Sequence, residues 1–394
     1  TTTRCVVSTI PIRVCSRSAM DASTQRSLAR IISHGLVKAT AAEDPCDAVR
    51  TLLALQAQQP SSVPWAINLR LRAPSIAQID QAFENCLLVR SWPMRGTIHV
   101  TCGEDHHWLR LLLRHRYNGW LQSFEEEGLS RGLVKEAAQI ACKQIHDFGP
   151  QSREELCSTW EAAGIRTGTG PQREAARRAG EKGIFVDRRH LFLDLHISGY
   201  LAAGPRRGNS FLFIDAGKLA PAEGVAQGEK DYEAALVNLA RRYAWGHGPV
   251  SAEDLARWAG IPKREAARAL EGAAQEKRGH SFPIIHTPMG YHRADLDALL
   301  RAHGEEARSL ISFPSFDEIH VGYADRSCLA DAQAEHAICP TKNGMFRPFI
   351  IENGRVIAVK DPRAGYQFVE SYEGTPSLGR LEQAEAIAQV MSGN

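Results

Sequence analysis

No C-x-x-C pair occurs among the nine cysteines, whose count is odd and whose spacing is irregular. That pattern argues against a disulfide framework and against a zinc ribbon, and leaves a reducing compartment as the default. No run approaches the roughly eighteen apolar residues of a membrane helix, so no membrane span is expected. Net charge is only +2 over 394 residues, so the chain as a whole does not advertise a polyanionic partner. There is no H-E-x-x-H, no G-x-x-x-x-G-K-S/T and no helix-hairpin-helix signal. Neither a metalloprotease-like zinc site nor a phosphate-cradling loop is therefore expected.

What is present begins with size. At 43% hydrophobic and 23% charged, the chain can build two or more separate cores. Charge is uneven along it. Residues 1–40 carry six Arg/Lys against one acid, and residues 166–210 carry nine against four. Such patches can neutralise phosphates even in a nearly neutral protein, although an unevenly charged soluble surface explains the pattern equally well.

Residues 1–18 read as a disordered or processed extension, with no helix evident before about Ser23. The segment 19–130 opens with helical periodicity in SLARIISHGL and PCDAVRTLLALQ, then gives the strand pattern SWPMRGTIHVTC. Segments 131–227 and 228–310 repeat the order of helix, short capped helix, Gly-bounded turn, helix and strands. Ser152 with Glu155 predicts a capping box. PQREAARRAG and PKREAARALEG are local echoes of each other. GIFVDRRHLFLDLH reads as a two-stranded wing turning near Asp187–His190. The repeated order is that of a winged helix-turn-helix, with an αα-hairpin array as the competing pattern. In segment 311–394 the texture changes to Gly, Pro and β-branched residues, and Asn353-Gly354 signals a hairpin. A small antiparallel sheet or barrel with a closing helix, LEQAEAIAQVMSG, is expected there.

The runs LLALQAQQPSSVPWAINLRLR, RSWPMRGTIHVTCGEDHHWL, SFPSFDEIHVGYADRS and KNGMFRPFIIENGRV occur in that order. Together they resemble the winged-helix DNA glycosylase family of the azinomycin-resistance type, related to bacterial interstrand-crosslink glycosylases. The resemblance covers about residues 25–390. It implies an α+β fold of three tandem winged helix-turn-helix domains followed by a small antiparallel β-barrel. It also implies that the glutamine–apolar–glutamine motif, here Gln56, Ala57 and Gln58, lies at the catalytic centre. Members commonly have a tryptophan after the NGRV-like hairpin, where this chain has IAVKDP. The double-glutamine branch is associated with removal of N7-alkylguanine-type lesions, so double-stranded DNA containing alkylated bases is the implied partner. No cofactor, metal or membrane is implied, and a monomer is expected because three modules share one chain.

The chemistry fits two amides. A cationic N7-alkylated guanine leaves as a neutral base and needs no general acid. What remains is to hold water near C1′ and to stabilise an oxocarbenium-like sugar. A glutamine oxygen can orient water and direct a dipole at developing charge, whereas an unactivated base would call for a carboxylate. A monofunctional glycosylase without a lyase step is therefore expected. By spacing alone, Gln56 and Gln58 also read as a plain solvated helix end.

Arg95, Thr97 and His99 are expected near the glutamines, with Arg95 suited to a phosphate and the other two to lining the cleft. Arg173, Arg177 and Arg178, then Arg188 and Arg189, are candidates for DNA contact from the second segment. Lys263, Arg264 and Arg268 are their counterparts in the third, with contacts mainly to phosphate. Asp317, Glu318, Asp325 and Arg326 form a charged block. Its alternation along a strand weakens a metal reading and favours pairing and turn formation between the barrel and the last winged helix. Competing functions are a non-catalytic lesion sensor on the same scaffold and a multi-domain transcription regulator. The cellular address is DNA-associated: cytoplasmic in a bacterium, nuclear or mitochondrial in a eukaryote.

Overall fold

A computed structural model describes residues 21–181, 183–221, 231–276 and 281–393. The expected extension at 1–18 and the boundary near 227 lie outside the described residues. Local rules account for much of the helix placement. Asp44 caps Pro45–Leu52 by accepting from the Cys46 and Asp47 amides, with proline at the first helical position. Ser152 and Glu155 form the expected reciprocal cap on Arg153–Ala162, and Ser251 with Asp254 forms another on Ala252–Ala259. Gly260 adopts φ +69 to end that helix, and Lys263–Gln275 starts directly after Pro262.

Thirteen strands are described. They are β1 (Leu55–Gln56), β2 (Leu88–Met94), β3 (Thr97–Cys102), β4 (Ile165–Gly168), β5 (Ile184–Asp187), β6 (Leu201–Arg207), β7 (Ser210–Asp215), β8 (Ile284–Thr287), β9 (Gly290–Arg293), β10 (Ile311–Phe313), β11 (Phe349–Glu352), β12 (Arg355–Asp361) and β13 (Gly365–Phe368). The hairpins β2–β3 and β6–β7 merge, through Arg90 opposite Ala203, into one sheet of order β1-β3-β2-β6-β7. β8–β9 is the separate hairpin expected of the third segment.

Two sequence expectations are corrected. The second segment's hairpin is β6–β7, not a turn near Asp187–His190. β5 instead pairs in parallel with β4, and Asp187 caps the helix Arg188–Ile197 by accepting from the Arg189 and His190 amides. That cap, followed by a run long enough for nearly three turns, favours helix over strand.

The C-terminal β-barrel does not exist. The sheet there is open, in the order β10-β11-β12-β13, and no sheet among the described residues closes on itself. Four strands of three to seven residues are too few to wrap round and fill an interior. Helices cover the two faces instead. Leu28, Ile31 and Ile32 of Ala22–Ser33 pack with Phe313, Phe349 and Ile351 on one side. Ala384 and Leu381 of Leu378–Ser392 pack with Ile350, Ile357 and Tyr366 on the other. Adjacent residues such as Phe349 and Ile350 thus enter opposite cores, as the strand period of two requires. Asn353 and Gly354, at φ +53 and +75, make the expected two-residue turn between β11 and β12. The Gly354 carbonyl accepts from Ser27 Oγ at 2.5 Å, fastening the N-terminal helix to that turn.

Candidate active site and nucleic-acid interface

The segment Gln56-Ala57-Gln58 is not a helix end. Helix Pro45–Leu52 stops at Leu53, φ +64, and the chain enters β1 antiparallel to β3, with Gln56 opposite His99. Ala57 donates its amide to the Ile98 carbonyl at 2.8 Å, and the Ile98 amide donates to Gln58 Oε1 at 3.3 Å. Arg90 Nε donates to the Ala57 carbonyl at 3.0 Å. Gln58 is exposed, while Gln56 is 8% exposed and its side-chain amide makes no hydrogen bond among the described residues. The backbone of Gln56 and Ala57 is held from β3 and, through Arg90, from β2, and the motif's side-chain amides keep unused hydrogen-bonding capacity.

A carboxylate that the sequence marked only as part of a charged block completes this frame. Glu318, fully buried, accepts from the Gln56 amide through Oε2 at 3.0 Å and from Trp258 Nε1 through Oε1 at 2.5 Å. His247 Nε2 lies 3.5 Å from the same Oε1. Burial alone would raise this carboxyl, but contact with His247 and the positive charge of Arg95 outweigh burial and hold it down to about 2. With both oxygens engaged and no exposure, Glu318 is ionised yet cannot reach a water outside. It supports Gln56 and is not a solvent-facing base.

The β2–β3 turn places the other expected neighbours. Arg95 and Gly96, at φ +53 and +67, form the turn, and the Gly96 amide donates to Tyr117 Oη at 3.0 Å. A Cβ on Gly96 would lie 2.2 Å from the Trp120 ring. His99 is fully buried, which together with Arg95 pushes its pKa down to about 4. The neutral ring donates from Nδ1 to the Thr97 carbonyl at 3.0 Å, and Nε2 accepts from Arg95 Nη2 at 3.4 Å. Arg95 is half-buried and turned toward His99; Thr97 Oγ1 is buried without a partner.

The charged block near 317 binds three parts of the chain together. The part of it expected as a strand is a short helix, Glu318–Val321, capped by Asp317. Arg70 forms a two-bond pair with Asp317 at 2.8 and 3.0 Å, both side chains being essentially buried. Arg70 also donates to His34 Nδ1 at 3.3 Å; His34 Nε2 donates to Tyr323 Oη at 2.8 Å, which donates to the His247 carbonyl at 2.8 Å. Burial first, then the charges around it, holds His34 well below its usual range, as this neutral tautomer requires. Pairing therefore reaches the first segment as well as the third. Arg326 pairs with Glu335, and Asp325 offers its carbonyl to Arg30. Lys360, in the stretch that departs from the family pattern, bonds to Glu385 at 2.8 Å.

The DNA-contact candidates fall into three groups. Arg173, Arg177 and Arg178 lie on Gly170–Arg178, where Arg173 pairs with Glu127 and the other two share Glu174. Lys263 pairs with Glu253 and Arg268 with Glu233, while Arg264 is exposed with no ion pair among the described residues. Exposed pairs of this kind are worth little and exchange readily for phosphate. Arg188 borders a cavity of about 780 Å³ with Arg166 and Gln172. Arg189 borders another, of about 550 Å³, with Arg90, Arg153, Arg207 and Pro60. Arg90 and Arg153 had no distinguishing signal in the sequence. Cys102, Glu104 and Asp105 bring ligand atoms within 4.8 Å of one another. Asp105 is already engaged by Arg242 and Trp108, and Glu104 by Arg50. No described helix is long and apolar enough to cross a membrane.

A buried Gln56 and an exposed Gln58 at the end of a short strand, flanked by capped helices and exposed arginines, lie in a chain whose known relatives are DNA glycosylases. The family described as "DNA glycosylase AlkZ-like" matches residues 49–382, and this chain belongs to it. The interstrand DNA cross-link repair glycosylase of Streptomyces sahachiroi is 23% identical over 335 residues, covering 79% of this chain and 81% of that protein. The solved structure of S. sahachiroi DNA glycosylase AlkZ is similar in fold, with a TM-score of 0.66 at 19% identity, covering 95% of this chain and 98% of that one.

Proposed function

We propose that this enzyme is a monofunctional DNA glycosylase that hydrolyses the N-glycosidic bond of N7-alkylated, cationic purines in duplex DNA. Bulky adducts and crosslinks of that chemistry fall within the reading. The observation that carries it is the pair of side-chain amides, Gln56 at the end of β1 and Gln58 just beyond it, in a motif held by hydrogen bonds from Ile98 and Arg90 while the carboxylate bonded to the Gln56 backbone amide is sealed from solvent. Such a site can position water and present dipoles, and among the described residues no solvent-facing carboxylate or imidazole is hydrogen-bonded to the motif. It suits a base that departs without protonation. Gln56 and Gln58 hold the water and face the sugar as positive charge develops at C1′. The ionised Glu318 behind the strand adds a fixed negative potential of the favourable sign. Well-organised positioning of this kind is worth several kcal/mol.

The test is base release from duplex DNA carrying N7-methylguanine, by wild type and by the Gln56→Ala/Gln58→Ala double variant. Release by wild type alone supports the reading. Equal release by both removes the glutamines from the chemistry. Binding without release by either favours a lesion sensor.

A further inference from the structure

The cavity between the β2–β6 sheet junction and the helix Arg153–Ala162 gathers more cations than anions. Arg90, Arg153, Arg189 and Arg207 line it, against one carboxylate, Glu154. Arg207 has Glu155 at 3.6 Å; Arg90, Arg153 and Arg189 have no ion pair among the described residues. Arg90 and Arg153 are instead held by aromatic faces, 5.1 Å from the Phe211 ring centre and 4.6 Å from that of Phe192. These contacts orient a guanidinium without neutralising it. His196, which also lines the cavity, is 1% exposed and has neither ring nitrogen hydrogen-bonded. Burial and the charges of Arg90 and Arg153 keep it neutral, so it adds no charge to the wall. A cavity of about 550 Å³ that brings three guanidinium groups with no ion pair among the described residues beside a buried, neutral imidazole is built for an anion.

Its position suggests which anion. Pro60 and Ile98 form part of its wall, and Arg90 is hydrogen-bonded to the carbonyl of Ala57, the centre of the glutamine motif. We infer that this cavity is a phosphodiester clamp, in which Arg153 and Arg189 grip a backbone phosphate of the strand flanking the target nucleotide while Arg90 ties the clamp to the motif. The inference rests on the glycosylase reading for the identity of the strand, and on the cavity alone for the anion.

The experiment measures duplex affinity by fluorescence anisotropy against salt for wild type, Arg153→Gln and Arg189→Gln. Arg189 is exposed, so its variant remains folded even if loss of Arg153 from Phe192 disturbs packing. Each true phosphate contact makes the log–log salt slope shallower by about one and weakens binding by roughly 8-fold at 0.1 M salt. A duplex with methylphosphonates placed singly around the lesion should show one position whose neutralisation weakens wild type but not Arg189→Gln. Unchanged slopes and no such position overturn the clamp, whether or not bases are released. Binding of inorganic phosphate that is lost in Arg189→Gln, with duplex slopes unchanged, also overturns it and marks a free-anion site. A changed slope in a protein that releases no base keeps the clamp and sinks the glycosylase reading.

Discussion

Replacing Glu318 by glutamine changes almost no volume but removes one acceptor from a site that needs two. The carboxylate accepts from Trp258 Nε1 at 2.5 Å and from the Gln56 amide at 3.0 Å. A glutamine there presents one oxygen and one NH2, so one of two buried donors must face another donor. The lost charge-assisted bond and the stranded N–H together cost about 2–4 kcal/mol. If Gln56 is the donor released, β1 moves, and a displacement on the order of 1 Å in a positioning site lowers rate by roughly 100-fold. We expect Glu318→Gln to lower the urea midpoint and to slow single-turnover base release by about 10- to 100-fold at saturating enzyme, while duplex affinity changes by less than about threefold because phosphate contacts dominate it. Wild-type release rate together with a wild-type midpoint would refute the reasoning, since the carboxylate would then neither hold the strand nor stabilise the fold.

The rate of base release should be flat between about pH 5 and 8, because His99 is held near about 4 and Glu318 near about 2. A bell-shaped profile with a limb near neutrality would mean an acid or base acts after all. Stability should fall on acidification below 6.5, as the unfolded state binds the protons that buried His34, His99 and His196 refuse, and further between 4.5 and about 2 as Glu318 is protonated. His99 and Glu318 each contribute on the order of 3 kcal/mol to that loss, read from urea midpoints across pH. Arg70→Met should destabilise by about 3–5 kcal/mol by stranding Asp317, and adding Asp317→Leu should recover most of it; equal loss in the single and double variants would contradict a desolvation cost. Gly96→Ala should cost at least about 1 kcal/mol from its positive φ, and more if Trp120 cannot withdraw, with thermal unfolding as the measure.

The Asn353-Gly354 turn and the capping box at Ser152 were legible in the chain because each is fixed by residues within a few positions of one another, whereas the spacing of Gln56 and Gln58 read as a helix end. The resemblance of ordered blocks supplied the family. Contacts between distant segments had no such signature. Arg70 meets Asp317 across 247 positions and Gln56 meets Glu318 across 262, and nothing local in FDEIH marks its acids for those partners. The same holds for the open C-terminal sheet. Its alternating apolar residues fit a barrel or a helix-covered layer equally well, and only the arrival of Ala22–Ser33 and Leu378–Ser392 on its two faces decides between them. Local rules thus set where elements begin, turn and end. Which buried charge finds its partner, and which arginines crowd one cavity without one, depends on the free energy of desolvating groups that are far apart in sequence, and that was decided only by the tertiary structure.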